Sequence, residues 1–526
     1  MSEAIKKLLQ NYGPTLKTRD GLEEAKRAIC KEYQLAKILN SDVLKEYRSL
    51  VLAKKIKPFM NLEKLLRKRS VRTMSGIAPV AVLTKPYPCP GTCAYCPHES
   101  DVPASYLSNE PAVMRAIRCG YDPYKQVSLR LKALEANGHE PTKIEIIVIG
   151  GTWSYLPTKY KYWYILNCFK AVNDYQKKKI DLTRAYAKNL SLVKLKQLLI
   201  KEQNKNESAK YNLIGLTLET RPDYINEKEL REMRDLGCTR VEIGVQAVDD
   251  KILKLNKRGH GVKEIVAATK LLKQFGFKIT YHLMPALPGA TPKKDLALFK
   301  KLFTDERFQP DQIKFYPTVV TKGSLLYKWY KQGKYKPYSD TVLQKLIVDC
   351  KKVVPTYVRI IRLIRDIPEE SIIAGNKITN LRQIMQQRGV KCNCIRCREA
   401  KDQPIKDYQI NVLKYPSSGG TEYFISADSL DKKILYGFCR LRMDFNSPIA
   451  PALIRELHVY GELVAVGGQK KIQHSGLGKK LLKEAEEIAR RAKTNKIAII
   501  SGVGVREYYR KLGYKLEEGY MVKQQN

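Results

Sequence analysis

The amino-acid sequence predicts an α/β protein in three parts: a basic helical N-terminal region, a partial or complete barrel of parallel strands alternating with helices, and a smaller C-terminal α/β domain. Three observations carry this. Six short runs rich in β-branched residues alternate with helix-patterned stretches between residues 79 and 320. A composition break at 390–421, with clustered cysteines and then PSSGGT, separates them from a further set of strands. The first 72 residues combine three-to-four apolar spacing with a dense basic charge.

In the N-terminal region, EEAKRAICKEYQLAKIL and VLKEYRSLVLAKKI read as helices. Residues 1–72 hold 18 Lys or Arg against 8 Asp or Glu and end in the run Arg67-Lys68-Arg69 with Arg72. A solvated face is the plain reading of such a helix; at this density RNA contact is favoured. The whole chain of 526 residues agrees, with 96 Lys plus Arg against 53 Asp plus Glu, a net charge of +43. Self-repulsion on that scale opposes compaction unless a polyanion offsets it, and nucleic acid does so because each phosphate contact releases counterions. Hot-habitat enrichment raises Glu together with Lys, and here Glu does not keep pace. MSEAIKKLLQ has no signal-peptide apolar core. No run approaches the roughly 20 apolar residues of a membrane span. The expectation is a soluble, cytoplasmic protein with no membrane partner.

The barrel strands are PVAVLTKPYP (79–88), KIEIIVIGGT (143–152), NLIGLTLET (212–220), RVEIGVQAV (240–248), KITYHLMPA (278–286) and QIKFYPTVV (312–320). Nearly continuous apolar runs suit parallel strands covered on both faces. An active site is then expected at the rim formed by their C-terminal ends.

Twelve cysteines in a chain this long do not form a secreted disulfide framework, and six fall in two tight clusters. Cys89-Pro-Gly-Thr-Cys93-Ala-Tyr-Cys96 follows directly on the first strand. Three thiolates at this spacing wrap three irons of a 4Fe–4S cube and leave the fourth iron without a protein ligand. That iron is where S-adenosylmethionine (SAM) chelates in radical SAM enzymes; a zinc site short of a ligand, or buried free cysteines, are the alternatives. Gly150-Gly151-Thr152 ends the second strand, where glycines let the SAM amino group approach the backbone; an ordinary tight turn is the plainer reading. Glu219 and Arg221 end the third strand and Gln246 the fourth, all toward the same rim, with buried ion pairing as the competing role for Glu219 and Arg221. Cys392-Asn-Cys394-Ile-Arg-Cys397 supplies three of the four ligands zinc prefers. At the inter-domain junction it reads as a structural zinc clip, against a second iron–sulfur cluster or free thiols.

In the C-terminal part, Gln473-His474-Ser475-Gly476-Leu477-Gly478 opens a helix whose N–H groups can hold the pyrophosphate of coenzyme A. A strand over Leu453–Tyr460 precedes it, and a strand followed by Tyr508-Tyr509-Arg-Lys-Leu-Gly-Tyr comes after. That order is the signature of GNAT-type acetyltransferases. Glu456, His458 and a tyrosine, Tyr508 or Tyr509, are the polar groups expected near a thioester, with core packing as the alternative for each. Thr321–Tyr338 interleaves five lysines with five aromatics and no acid, a composition for phosphates and stacked bases or for an amphipathic surface helix. Arg359, Arg362 and Arg365 recur at helical spacing and would extend that surface.

The chain resembles the family of Elongator catalytic subunits in its archaeal single-chain form, over residues 70–526. The resemblance rests on EPAVMRAIRCGYDPYKQ, KIEIIVIGGT, LTLETRPDYI, VEIGVQAVDDKIL, NKRGHG, HLMPALPG, IRLIRDIP, CNCIRCRE, RELHVYG, QHSGLG and SGVGVREYYRKLGY. One departure is visible: eukaryotic members separate the first two cluster cysteines more widely than Cys89 and Cys93. The resemblance implies a radical SAM partial (β/α)6 barrel at 73–385, a cysteine-rich linker at 386–405 and a GNAT-type α/β acetyltransferase domain at 406–526. It implies that Lys143, the strand Arg455, Glu456, Leu457, His458 and Val459, the Gly476–Gly478 loop and Tyr508 contact acetyl-CoA. A deoxyadenosyl radical would take hydrogen from the acetyl methyl, and the carbon would add to C5 of the wobble uridine of tRNA, bound through its anticodon stem-loop. An electron donor for the cluster is implied; other Elongator-type subunits are compatible but not required. The rival reading is a protein lysine acetyltransferase with a structural radical SAM domain.

Overall fold

Seven parallel strands form the first sheet, one more than the apolar runs predict. They are β1 (Ala78–Leu83), β2 (Lys143–Ile149), β3 (Asn212–Thr220), β4 (Arg240–Gln246), β5 (Lys278–Leu283), β6 (Gln312–Phe315) and β7 (Arg359–Arg362). They lie side by side in chain order, each pair parallel, and β1 and β7 are the two edges of an open half barrel. The computed structural model describes every residue except 60, 68–75, 177–181, 183–186, 188, 402, 461–475 and 526.

The seventh strand corrects the helical reading of Arg359, Arg362 and Arg365. A spacing of three fits a helix, but the strand turns Arg359 inward to Glu399 and to the Tyr460 hydroxyl, each at 2.8 Å. Arg365 donates to Ser105 Oγ and Glu110 Oε1, both at 3.0 Å. Two of the three cations are therefore spent inside the fold, and only Arg362, paired with Asp366, stays largely exposed.

The N-terminal helices Ser2–Asn11, Arg19–Glu32 and Asn40–Leu52 bury their own core of Ile5, Leu8, Leu22, Ile29, Val43 and Leu44. Thr18 caps the second, its Oγ1 accepting from the Gly21 N–H at 3.1 Å. Arg67 ties this unit to the barrel by donating to the Gly138 carbonyl at 3.1 Å. Lys68, Arg69 and Arg72 lie outside the described residues.

The second sheet contains β8 (Tyr408–Ser417), β9 (Gly420–Ser429), β10 (Leu435–Met443), β11 (Ala452–Val459), β12 (Lys496–Ile499), β13 (Lys515–Glu517) and β14 (Tyr520–Gln524), in the order β13-β14-β12-β11-β10-β9-β8. The helix Leu477–Arg491 covers it with Leu477, Leu481, Leu482, Ala485 and Ala489, an i, i+4, i+8 stripe.

This sheet docks on the mouth formed by the N-terminal ends of the barrel strands, opposite the cysteine loop that follows β1. Arg455 of β11 donates to the Phe277 carbonyl, just before β5, at 2.6 Å, to Asp311, just before β6, and to Glu422 of β9 at 3.1 Å. Arg440 reaches the Tyr357 carbonyl at 2.7 Å, and Tyr357 stacks on Tyr415 with ring centres 4.1 Å apart. Arg506 and Arg510 hold Glu207 at 3.0 and 2.6 Å. Gly502 sits where a Cβ would be 1.9 Å from the Ile214 carbonyl, so the two backbones meet directly.

Asp311 and Arg455 are both fully buried, so removing one partner strands a charge. Asp311→Ala is expected to cost about 3–5 kcal/mol, read as a lowered urea midpoint.

Candidate functional site

The loop after β1 wraps a cavity of about 410 Å³ lined by Cys89, Cys93, Cys96, Gly91, His98 and Leu325, among others. Arg258 reaches Cys93 from the loop after the helix Asp250–Leu255, donating to Cys93 Sγ at 3.3 Å and to the Gly244 carbonyl at 2.7 Å. A hydrogen bond from Cys96, then the charge and hydrogen bond of Arg258 and the charge of Arg221, draw the Cys93 thiol down to about 4 against the opposing effect of burial. Arg221 is fixed by Asp223 at 3.0 and 2.8 Å and by the Arg258 carbonyl at 3.0 Å. Two glycines leave the room: a Cβ on Gly91 would lie 2.1 Å from Arg221 Nη1, and one on Gly244 2.4 Å from Arg258 Nη2.

Sequence reasoning missed Arg258. Its signal was present, a lone arginine in NKRGHG, but its thiol partner lies 165 residues away. It also missed the aromatic rim Tyr87–Tyr155–Tyr224, whose rings meet edge-on at 6.0 and 5.7 Å beside the cavity.

The other rim residues expected from the sequence gather at the C-terminal strand ends. Gly150 and Gly151 take φ of +117° and +63°, and Thr84 Oγ1 donates to the Gly150 carbonyl at 3.1 Å. Gly150 leaves that approach open, since a Cβ there would meet the same oxygen at 2.6 Å. Thr152 is buried beside them. Gln246 adopts φ +66°, a left-handed conformation that costs a non-glycine residue about 1 kcal/mol or more. The buried atoms Arg221 Nη1, Arg258 Nε and Gln246 Oε1 have no hydrogen-bond partner among the described residues. Three thiols around one cavity, with unspent polar atoms beside them, fit an iron–sulfur cluster and the polar SAM molecule.

Glu219 and Arg221 do not pair with each other. Glu219 accepts from Tyr106 at 3.1 Å and from Lys314 at 3.4 Å, and so heads a column of charge running down the barrel interior. Below it, buried Glu242 accepts from Lys314 and lies 2.7 Å from His282 Nε2. Next come Arg240 with Glu145 at 3.0 Å and with Gln312 at 3.3 Å. Burial would raise the Glu242 carboxyl, but Lys314, His282 and Arg240 together hold it well below the usual range. Glu219, Glu242 and His282 are close enough to hold a metal ion, yet the Lys314 ammonium already supplies the cation.

The second candidate region opens at the far mouth. Among the described residues β11 pairs with β12 only over Ala452–Ile454, so the strands part from Arg455 onward. A register shift against β10 at the same point turns Arg455 into the interface. Its guanidinium is spent there, leaving only its backbone toward the cleft. Facing the parted edge, Gly476 (φ +77°) caps the helix Leu477–Arg491. A Cβ on Gly478 would lie 3.2 Å from the Tyr508 hydroxyl and 3.6 Å from Val459, so the strand, the glycine turn and Tyr508 form one cleft. Gln473 lies outside the described residues. Tyr509 is buried, packed edge-on between Tyr508 and Tyr514, and sits in the core rather than the cleft.

Glu456 and His458 lie at the barrel mouth. Burial would raise Glu456, but Lys278 (3.6 Å) and Arg440 (3.0 Å) bring it down to about 2. His458 stacks on Phe438, its Nε2 has no partner among the described residues, and burial, with Arg359, Lys278 and Lys143, holds it down to about 3. It is neutral near pH 7, an acceptor in a nest of cations. The charge of Lys143, at the start of β2, reaches the same histidine, and burial lowers its own ammonium.

At the junction, the Cys392, Cys394 and Cys397 sulfurs all lie within 4.8 Å of one another. Lys351 Nζ is 3.8 Å from Cys397 Sγ. Hydrogen bonds from Cys392 and Cys397 lower the Cys394 thiol. No fourth His, Cys, Asp or Glu joins them among the described residues. Arg398 of the same segment bonds Asp428 of β9 at 2.6 Å and the Thr356 carbonyl at 2.9 Å, pinning the barrel to the second sheet.

Comparison with known proteins matches both halves. The Radical SAM superfamily matches residues 87–302, a Radical SAM C-terminal domain 310–389, and the Acetyltransferase (GNAT) family 394–514. The chain is 45% identical to a tRNA uridine(34) acetyltransferase of Dehalococcoides mccartyi, over 87% of this chain and 99% of that protein. It is 39% identical to Elongator complex protein 3 of Homo sapiens, over 87% and 86%. A solved structure of archaeal Methanocaldococcus infernus Elp3 with residues 1–46 deleted superposes with a TM-score of 0.72 at 38% identity, covering 86% of this chain and 99% of that one.

His458 generates a pH prediction. Its pKa in the fold lies below that of the unfolded chain, so between about pH 6.5 and 3 the unfolded state binds the extra proton and stability falls as pH falls. His458→Phe is expected to flatten the drop in urea midpoint between pH 7 and pH 4 relative to the wild-type chain.

Proposed function

Since the chain belongs to the Elongator complex protein 3 family, which joins a radical SAM domain to a GNAT domain, we propose that it modifies the wobble uridine of tRNA using acetyl-CoA and SAM. One observation carries the reading. A single chain mounts a three-thiol, two-arginine cavity on one end of a half barrel and a parted-strand cleft with a glycine turn on the other. When loaded, the cluster and SAM would supply a radical able to take a hydrogen atom from the acetyl methyl; the carbon would then add to C5 of uridine, the C5 proton would leave and the surplus electron would return to the oxidised cluster, and thioester hydrolysis would leave 5-carboxymethyluridine.

Each residue has a task in this scheme. Cys89, Cys93 and Cys96 hold the cluster; Arg258 and Arg221 receive the SAM carboxylate; Gly150, Gly151, Thr152, Glu219 and Gln246 shape the rest of its pocket. The open edge of β11 hydrogen-bonds the pantetheine arm in the manner of an added strand, and the Gly476–Gly478 turn takes the pyrophosphate. Tyr508 closes over the thioester. Lys143 and Lys278 orient its carbonyl, and neutral His458 offers Nε2 as a hydrogen-bond acceptor that orients the hydrolytic water. Glu456, locked in ion pairs, positions these cations. Basic charge draws the anticodon stem-loop to the barrel. Cys392, Cys394 and Cys397 bind a structural zinc that clips the two domains.

The lysine acetyltransferase reading has one observation in its favour. The two mouths are separated by the charged column, and six-residue β5 alone spans about 20 Å. Under the proposed function the acetyl group must travel that axis; under the rival it need not.

Anaerobically reconstituted protein is expected to release coenzyme A only when tRNA is present. Cys93→Ser should abolish modified tRNA while leaving tRNA affinity intact. Turnover on a lysine peptide, indifferent to tRNA and to Cys93, would establish the rival instead. Elemental analysis should find zinc beside iron, with Cys394→Ser losing the zinc and keeping the iron.

A further inference from the structure

A second cavity of about 370 Å³ lies beside the cysteine loop, and none of the roles assigned above uses it. Its walls are Trp329, Tyr335 and Tyr338 on one side and Leu255, Leu287 and Pro288 on the other. Lys334 and Lys336 line it as well, and no acidic residue does.

The tyrosine hydroxyls are anchored by hydrogen bonds to the protein. Tyr335 donates to the Ala286 carbonyl at 2.7 Å and Tyr338 to Asp295 at 2.8 Å. Asp295 also accepts from the Ala286 N–H at 2.8 Å, so the nearest carboxylate is tied behind the wall. What remains toward the cavity is aromatic and aliphatic surface. Leu255 stays 49% exposed and Trp329 half-buried over it, which tight core packing would not leave. Lys322, Lys328 and Lys331 of the same segment are all exposed.

The position of the cavity is fixed by the cysteine loop. The helix Leu325–Lys331 donates from Leu326 N to the Ala94 carbonyl at 2.7 Å, between Cys93 and Cys96. Ala94 N donates to the Asn256 carbonyl at 3.0 Å, and Asn256 Nδ2 to the Pro288 carbonyl at 3.0 Å. Leu325 lines the cysteine cavity and Trp329, four residues on, lines this one. The two cavities are thus lined from the same short helix, by residues about 6 Å apart along its axis.

We propose that this cavity is a second nucleotide subsite, which seats the base next to the reacting uridine by stacking it on Trp329 and holds its phosphate with Lys334 and Lys336. It rests on the reading that the chain acts on tRNA. A flat apolar slot with lysines at its mouth matches an unstacked base with its phosphate. Holding that neighbour keeps the target base out of its own stack, which otherwise opposes entry into a deep site.

The test uses the full chain and an anticodon stem-loop RNA carrying 2-aminopurine on the 5′ or the 3′ side of the target uridine. With the wild-type chain, fluorescence from one of the two positions is expected to fall severalfold on binding. Trp329→Ala should abolish that quenching and weaken binding about 10- to 100-fold, while Trp329→Phe, which retains a stacking face, should restore both. Lys334→Gln with Lys336→Gln should weaken binding and lessen its salt dependence, with the quenching retained at saturation. Quenching and affinity in Trp329→Ala equal to wild type would overturn the subsite, as would Trp329→Phe failing as badly as Trp329→Ala. A wild-type chain that does not bind the stem-loop at all would overturn the tRNA reading along with it.

Discussion

The buried contact of Arg455 with Asp311 and Glu422 sets the geometry on which everything else depends. All three charges are withdrawn from water, so they persist only in a packing that pairs each of them. Lys273, Arg440 and Arg442 crowd the same carboxylates, and a small slide of one sheet over the other would leave several ions unpaired together. Hydrophobic burial favours docking of the two domains; these pairs select one orientation. That orientation places β11 across the barrel mouth and parts it from β12 at the residue that forms the anchor.

The barrel interior follows the same logic. Barrels filled by Val, Ile and Leu are packed solid, whereas here the axis carries Glu219, Lys314, Glu242, His282, Arg240 and Glu145 in contact from rim to rim. Ion pairs hold most of this column together, while Arg240 Nε and Glu242 Oε1, 3.7 Å apart, have no hydrogen-bond partner among the described residues. At the strand starts, burial and the neighbouring cations Arg359, Lys278 and Lys143 hold His458 neutral.

Features carried by local spacing were legible in the sequence: the C-x3-C-x2-C loop, the glycine turns, six of the seven strands and the GNAT order of elements. What was not legible depends on distant pairing. Arg258 acquires meaning only from Cys93 and from the space left by Gly244. Arg455 sits in a strand expected to face a ligand, yet a one-residue shift against β10 turns its side chain to Asp311, 144 residues away. Arg359 and its neighbours carry a spacing that a short strand satisfies as well as a helix. Tyr508 and Tyr509 are adjacent and chemically alike, and only the packing separates the cleft residue from the core one.

The mouth at the strand starts has a consequence beyond chemistry. In most parallel barrels one rim reacts and the other merely stabilises, so the second is free to accept insertions and to drift. Here Phe277, Asp311, Tyr357 and Ile214 at that rim are each clasped by the second sheet. The barrel therefore has no neutral rim. An insertion at either end of the axis would have to displace the cysteine loop or break these clasps, whereas one on the outer helices or the turns between them would meet neither.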